Sequence, residues 1–312
     1  MVCGERGEVL RATDQQAAGP ATRSERSAPM DGLASDAPRR CAVLGSPVGH
    51  SLSPALHRAA YASLGLTGWT YDAHQVDEVT LSGFVANLDS SWRGLSLTMP
   101  LKRAAIPLCD TVSPLAREVS AVNTMVFSEE GRAGSNTDAP GVASALRERR
   151  VDTVESAVLL GVGATAGSAL VGLAELGVRR VTAYARDPAK AGPLAKIAQG
   201  RGIEFVSADW GQIEQLPRSD VLVSTVPADV VEPLASRTAR LVGVIFDVLY
   251  DPWPTPLAVA ASASGRILVS GFDLLVHQAA LQVEAMTGRS PAPLGAMRDA
   301  GETALAARHA AQ

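Results

Sequence analysis

With 312 residues, 46% of them hydrophobic but only 4% aromatic, the chain is longer than one core usually fills and must build its interior largely from Ala, Val and Leu, which predicts two domains of the α/β class with helix-covered parallel strands. A net charge of −4 without a long Lys/Arg block argues against nucleic acid as a partner and for a small-molecule ligand. Cys3, Cys41 and Cys109 are too widely spaced for a disulfide framework or a zinc site, and no apolar run reaches the roughly 18 residues of a membrane span, so a soluble cytoplasmic protein without a metal is expected.

Residues 1 to about 38 are polar and rich in Ala, Gly, Pro and Ser without sustained periodicity, which predicts a disordered tail. Met30 lies shortly before the first strand, and the segment ahead of it reads as an over-extended translation start. Order begins at Cys41–Leu44, a short buried strand, followed by a loop and a helix from about Ala55 to Leu64. Ser53, just before Pro54, has the chemistry of an N-cap. Ser51 and Ser53 together also put two hydroxyls beside a helix N-terminus, an arrangement suited to a carboxylate.

A second strand is expected over Thr70–His74, a helix over Val76–Leu88 and a third strand over Gly94–Leu97, making a small βαβαβ unit. That strand runs into Ser96-Leu-Thr98-Met-Pro-Leu-Lys102. Lys102 is a solvated surface lysine by default, but ligands of open α/β sheets bind at the carboxyl ends of strands, where it stands. The segments around Ala121–Thr124 and Gly134–Asp138 flank a Glu-Glu-Gly-Arg turn, so a hairpin should bring Asn123 close to Asp138. Both residue types are also ordinary turn formers. Pro140 opens a helix to about Arg149, and Val151–Glu155 reads as a linker.

From Val158 an apolar run stops at Gly161 and resumes after Thr165 with helical spacing, the pattern of a buried strand, tight turn and helix. Gly161, Gly163 and Ala166 fit the G-x-G-x-x-G/A dinucleotide fingerprint, whose helix N-terminus offers N–H groups and positive dipole to a pyrophosphate. A second strand over Arg180–Tyr184 ends before Arg186, which lies 25 positions after Gly161. Arg186 with Lys190 suits the 2′-phosphate of NADP, whereas Asp187 could serve the 2′-hydroxyl of NAD. Further strands over Ile203–Ser207, Val221–Ser224, Val242–Asp247 and Ile267–Val269 complete the rhythm of a doubly wound sheet. Tyr250 follows the Val242 strand. Gly271 then leads into a helix carrying His277 and Gln278, both solvent-facing by default, and a last helix lies within residues 291–309.

Taken in order, Ser51-Leu-Ser53-Pro, Thr98-Met-Pro-Leu-Lys102, Ala121-Val-Asn123-Thr, Asn136-Thr-Asp138, the glycine turn, Tyr250 and Gly271 with Leu-Val-His-Gln278-Ala resemble the shikimate dehydrogenase family over about residues 41 to 290. The resemblance implies NADP-linked interconversion of 3-dehydroshikimate and shikimate in aromatic amino-acid (chorismate) biosynthesis. It further implies a substrate domain over residues 39–139, a nucleotide domain of Rossmann type over 140–270, and C-terminal helices over 271–312 that return to the substrate domain. Lys102 and Asp138 would be the catalytic pair. Ser51 and Ser53 would bind the substrate carboxylate, with Ser96, Thr98, Asn123, Tyr250 and Gln278 around the substrate. Gly161, Gly163, Ala164, Thr165, Ala166, Arg186, Lys190, Thr225, Val248, Gly271 and Leu274 would hold the cofactor. A monomer or homodimer is expected.

The chain departs from the family pattern in three places. Ser96 stands where Asn is frequent, exchanging a pocket-floor amide for a hydroxyl. Ala164 adds a methyl beside the expected pyrophosphate, and Asp273 replaces a frequent Gly close to the expected nicotinamide. A relative acting on quinate or an amino-substituted analogue would use the same pair. A catalytically silent binding protein is the reading from another class, and it gives no chemical reason to keep both Lys102 and Asp138.

Overall fold

The structure, a computed structural model, describes residues 38–310. The tail expected over residues 1 to about 38, and Met30 within it, lie outside the described residues apart from Pro38. The first sheet starts with β1 (Arg39–Gly45), α1 (Ser53–Ser63), β2 (Trp69–Gln75), α2 (Leu81–Ala86) and β3 (Trp92–Leu97). β1 lies between its neighbours and parallel to both, with Cys41 opposite Tyr71 on one side and Gly94 on the other. Its continuous apolar run is buried on both faces, as a central parallel strand requires.

Two boundaries differ from expectation for local reasons. Leu52, in helical conformation, is the N-cap of α1, so Ser53 is already helical and caps nothing; its own N–H donates to Ser51 Oγ at 3.2 Å. The helix expected over Val76–Leu88 shrinks to α2 because the Asp77 carboxylate accepts from the backbone N–H groups of Val79 and Thr80, which holds the first residues in an Asx turn.

After β3 come α3 (Leu101–Ala104), β4 (Thr111–Val112), α4 (Pro114–Glu118), β5 (Thr124–Ser128) and β6 (Gly131–Ser135). β5 and β6 form the expected antiparallel hairpin, and the sheet runs β2-β1-β3-β5-β6-β4. β4 is too short for periodicity to reveal it. α5 (Asp138–Glu148) begins two residues ahead of Pro140, which puts Asp138 at its first position.

The second sheet holds β7 (Ser156–Leu160), α6 (Ala164–Ala174), β8 (Arg180–Ala185), α7 (Gly192–Gly200), β9 (Glu204–Asp209), β10 (Ser219–Ser224), α8 (Ala228–Val231), α9 (Ala235–Leu241), β11 (Val242–Asp247), α10 (Pro256–Ala263) and β12 (Ile267–Ser270). All six strands are parallel, in the order β12-β11-β10-β7-β8-β9. Winding reverses between β7 and β10, which makes their carboxyl ends a topological switch point. α5 packs here, Val142 and Leu146 joining Leu159, Leu170 and Phe246 in the core.

α11 (Gly271–Thr287) and α12 (Leu294–Ala310) return to the first sheet. Val276, Val283 and Met297 bury themselves against Leu56, Tyr61 and Tyr71, each apolar side chain contributing roughly 1.5–3 kcal/mol. His57 sits in the same core, stacked on Tyr71 with ring centroids 3.9 Å apart. Burial pushes its pKa down to about 3, against a smaller upward pull from Gln282. The native imidazole therefore stays neutral while the unfolded one charges below about pH 6.5, so stability falls as pH drops from about 6.5 to about 3, by about 1.4 kcal/mol per unit. Urea unfolding across pH 4 to 7 should give a slope that flattens by one proton in His57→Gln. An unchanged slope in the variant would refute this account.

Candidate active site

The carboxyl ends of β1 and β3, the first turn of α6 and the start of α11 face one another across a cleft of about 300 Å³. Lys102, on α3 directly after β3, is anchored by its carbonyl, which accepts from Val122 N–H at 2.8 Å. Its Nζ donates to Asp138 Oδ2 at 2.6 Å, and the two side chains are only 17% and 9% exposed. Asp138 Oδ1 accepts from Asn123 Nδ2 at 2.8 Å, while Asn123 Oδ1 accepts from Thr137 N–H at 2.8 Å. The carboxylate is thus fixed by an amide that is itself fixed, and the ammonium is left with hydrogens for the cleft. The hairpin does bring Asn123 to Asp138.

Gln278, solvent-facing by default but placed around the substrate by the resemblance, is buried and lines the cleft; its Oε1 lies 3.4 Å from both Asn123 Nδ2 and Thr137 Oγ1. Ser51, Ser53 and Thr98 also line the cleft, and Tyr250 joins them from beyond β11. Burial raises the Tyr250 phenol pKa, and Asp251 adds to this while Arg308 works against it.

Ser96 is buried and is not among the residues that line the cleft: Tyr71 OH donates to Ser96 Oγ at 2.6 Å, and Ser96 Oγ donates to Gln282 Oε1 at 2.7 Å. Strand alternation turns Ser96 away from Leu95 and Leu97 toward α11. Gln282 Nε2 then donates to Asn123 O at 3.2 Å and Thr124 Oγ1 at 3.1 Å, so this chain of hydroxyls and amide supports Asn123 from below. Sequence reasoning passed over Gln282, although it lies one helical turn beyond Gln278 and on the same face.

The glycine turn carries residues that fit a dinucleotide. Gly161 has φ +98°, and a Cβ there would stand 2.4 Å from Thr225 Oγ1, so only glycine closes this turn. Thr225 itself donates to Leu160 O at 2.8 Å, tying β7 to β10 at the switch point. Gly163 caps α6 without a side-chain bond, and the space where its Cβ would project holds no other atom within 4 Å. Free N–H groups, helix dipole and open space together fit a pyrophosphate. Ala164 is half-buried, Thr165 lines the cleft, and Ala166 is fully buried where helix and sheet pack. Val248, Gly271 and Leu274 complete that wall.

Arg186 follows β8 and is exposed, two residues beyond Tyr184, whose carbonyl accepts from Gly161 N–H at 2.9 Å. Asp187 Oδ1 caps the next turn through Ala189 N–H at 3.2 Å, and its Oδ2 lies 3.7 Å from Lys190 Nζ. Among the described residues Arg186 has no acidic partner. Asp273, which stands where the family often has Gly, turns its carboxylate away from the cleft: it accepts from Ser270 N–H and Oγ at 2.9 Å, from Arg149 at 3.1 Å and from Arg298 at 2.8 Å. Among the described residues no group of three His, Cys, Asp or Glu is placed to hold a metal, and no helix is long and apolar enough to cross a membrane.

A dinucleotide-type strand, turn and helix opening on a cleft with a lysine–carboxylate pair is the layout of a pyridine-nucleotide-dependent oxidoreductase. Family models match in two places, the shikimate dehydrogenase substrate binding domain over residues 43–125 and the shikimate 5′-dehydrogenase C-terminal domain over residues 271–300. The chain belongs to the shikimate dehydrogenase family: it is 37% identical over 275 residues to the shikimate dehydrogenase (NADP(+)) of Methylobacterium radiotolerans, covering 83% of this chain and 95% of that one. The crystal structure of Mycobacterium tuberculosis shikimate dehydrogenase superposes with TM-score 0.79 at 41% identity, covering 85% of this chain and all of that one. The Thermus thermophilus shikimate 5-dehydrogenase in complex with NADP(H) and shikimate does so with TM-score 0.72 at 32% identity, covering 85% and 99%.

Proposed function

We propose that this chain is a shikimate dehydrogenase, interconverting 3-dehydroshikimate and shikimate with NADP(H). The observation that carries the reading is the Lys102–Asp138 pair, 2.6 Å apart in a shared cleft with the α6 N-terminus. When bound, the cofactor supplies or accepts the hydride. As the ring ketone is reduced, its oxygen gains negative charge, and Lys102 Nζ stabilises that charge and delivers the proton. In the reverse direction Lys102 takes the hydroxyl proton. Asp138 and Asn123 orient the ammonium, and Ser51 and Ser53 hold the substrate carboxylate by their hydroxyls. Thr98, Tyr250 and Gln278 position the ring hydroxyls, while Ser96 acts through Gln282.

The cofactor is held by Gly161, Gly163, Ala164 and Thr165 at the pyrophosphate, with Ala166 and Thr225 shaping the turn. Val248, Gly271 and Leu274 form the nicotinamide wall. Arg186 and Lys190 take the 2′-phosphate, a reading supported by Asp187 being engaged in its own turn. Residues 39–139 with 271–312 then form the substrate half and 140–270 the nucleotide half. Cys41 and Cys109 are free thiols, which supports a cytoplasmic protein; we take it to act as a monomer or homodimer.

Initial rates with shikimate and quinate, each with NADP⁺ and NAD⁺, test the reading. Shikimate with NADP⁺ should dominate, and Arg186→Ala should raise the KM for NADP⁺ about tenfold, the worth of one charge-assisted phosphate contact, with NAD⁺ kinetics unchanged. Preference for quinate or NAD⁺ would move the specificity while keeping the mechanism. No turnover with any pair would overturn the function.

A further inference from the structure

Asp273 is 2% exposed, yet its carboxylate faces away from the cleft that its own helix lines. The helical period explains this. At about 100° per residue, Gly271, Leu274, Leu275 and Gln278 share one face of α11, and they line the cleft. Phe272, Val276, Ala279 and Val283 share a second face, in the core of the first sheet. Asp273 and His277 fall on the third.

On that third face, α11 meets charges from two other helices. Arg149, at the end of α5, donates one Nη2 to both Asp273 oxygens at 3.1 and 3.2 Å. Arg298, from α12, donates Nη1 to Asp273 Oδ1 at 2.8 Å and Nη2 to Glu148 Oε2 at 2.6 Å. His277 Nε2 lies 2.7 Å from that same Glu148 oxygen. Two carboxylates, two guanidiniums and an imidazole thus form one junction. It is also a junction between lobes, because α5 belongs to the core of the second sheet while α11 and α12 belong to the first.

The same carboxylate closes a capping box with Ser270, which fixes where α11 begins. Burial raises the Asp273 pKa, but the Ser270 backbone N–H, the Arg298 guanidinium, the Ser270 hydroxyl and Arg149 outweigh it and hold the group below the usual carboxylate range. A charge so enclosed is tolerated only because its partners are in place. α5 carries Asp138 at its first position and Arg149 just past its last, and α11 carries Asp273 and Gln278. The junction therefore sets the relation between the two helices that deliver both sides of the reaction centre.

We propose, resting on the function above, that Asp273 is a positioning residue: with Arg149 and Arg298 it locks the first turn of α11 across the lobe junction so that Gly271, Leu274 and Gln278 meet the Lys102–Asp138 pair in register. Asp273→Asn keeps an acceptor for Ser270 and removes the charge; Arg298→Gln removes one partner from a helix outside the cleft. Each should lower kcat about tenfold with the KM for shikimate changed less than twofold, since misplacement acts on the reacting geometry. The double variant should fall no further than the worse single, and Arg298→Lys should recover part of the loss.

Amide hydrogen exchange over residues 271–278 should quicken about tenfold in both single variants, and this readout needs no turnover. A kcat within twofold of the parent in both, even with a lowered Tm, would reduce Asp273 to a structural residue and overturn the proposal. So would unchanged exchange. If the parent itself fails to turn over shikimate, the function falls instead, and exchange alone decides whether the junction orders α11.

Discussion

Lys102→Ala should lower kcat by about 10² to 10⁴ while leaving NADP(H) affinity nearly unchanged. The size follows from what the ammonium does: as the ketone is reduced the oxygen becomes an alkoxide-like base, and among the described residues that line the cleft Lys102 is the one lysine or arginine able to meet it. Lys102 is the cationic group lining the cleft whose Nζ is already oriented, through Asp138 Oδ2 at 2.6 Å. The cofactor should not notice the change, because the glycine turn and Arg186 belong to the other sheet. Steady-state turnover beside NADPH fluorescence titration separates the two effects. A variant turning over near the parental rate would remove Lys102 from the chemistry, and one that also lost NADPH would show a damaged fold.

How much of this site could be read from sequence depends on how local each signal is. The inner strands of the second sheet are buried on both faces and so read as near-continuous apolar runs, Val221–Ser224 and Val242–Asp247 among them. The glycine turn is legible because its steric demands fall on neighbouring residues. The meeting of Asn123 with Asp138 follows from a hairpin whose turn lies between them.

What stayed hidden depends on pairings distant along the chain. Ser96 and Gln282 are 186 residues apart, and nothing near Ser96 says that α11 covers that face of β3. Asp273 stands between Gly271 and Leu274, which line the cleft; the helix phase, together with arginines from α5 and α12, turns its carboxylate the other way. Family resemblance carries residue types to positions and leaves open where a departing side chain points.

The same helix start supports the second large effect, expected for Gly271→Ala. A Cβ at Gly271 would lie 2.0 Å from Val248 O, 2.4 Å from Val248 C and 2.9 Å from Leu249 C. These are backbone atoms of the segment leaving β11, and Gly271 N–H already donates to Leu249 O at 3.1 Å, so no side chain can swing aside to make room. The first turn of α11 must back away instead, by about 1.4 Å if ordinary contact is restored, and even a displacement of about 1 Å at a reaction centre costs roughly 10² in rate. Because Val248 and Leu274 line the cleft beside Gly271, we expect kcat to fall about 100-fold and stability by about 1–3 kcal/mol, the usual range for overpacking. Gly163→Ala supplies the contrast. Its added methyl meets nothing within 4 Å, so urea unfolding should place its stability within about 0.5 kcal/mol of the parent. If Gly271→Ala matched it in stability and kept the parental kcat, the close approach of α11 to Val248 would not be what holds this wall of the cleft in place.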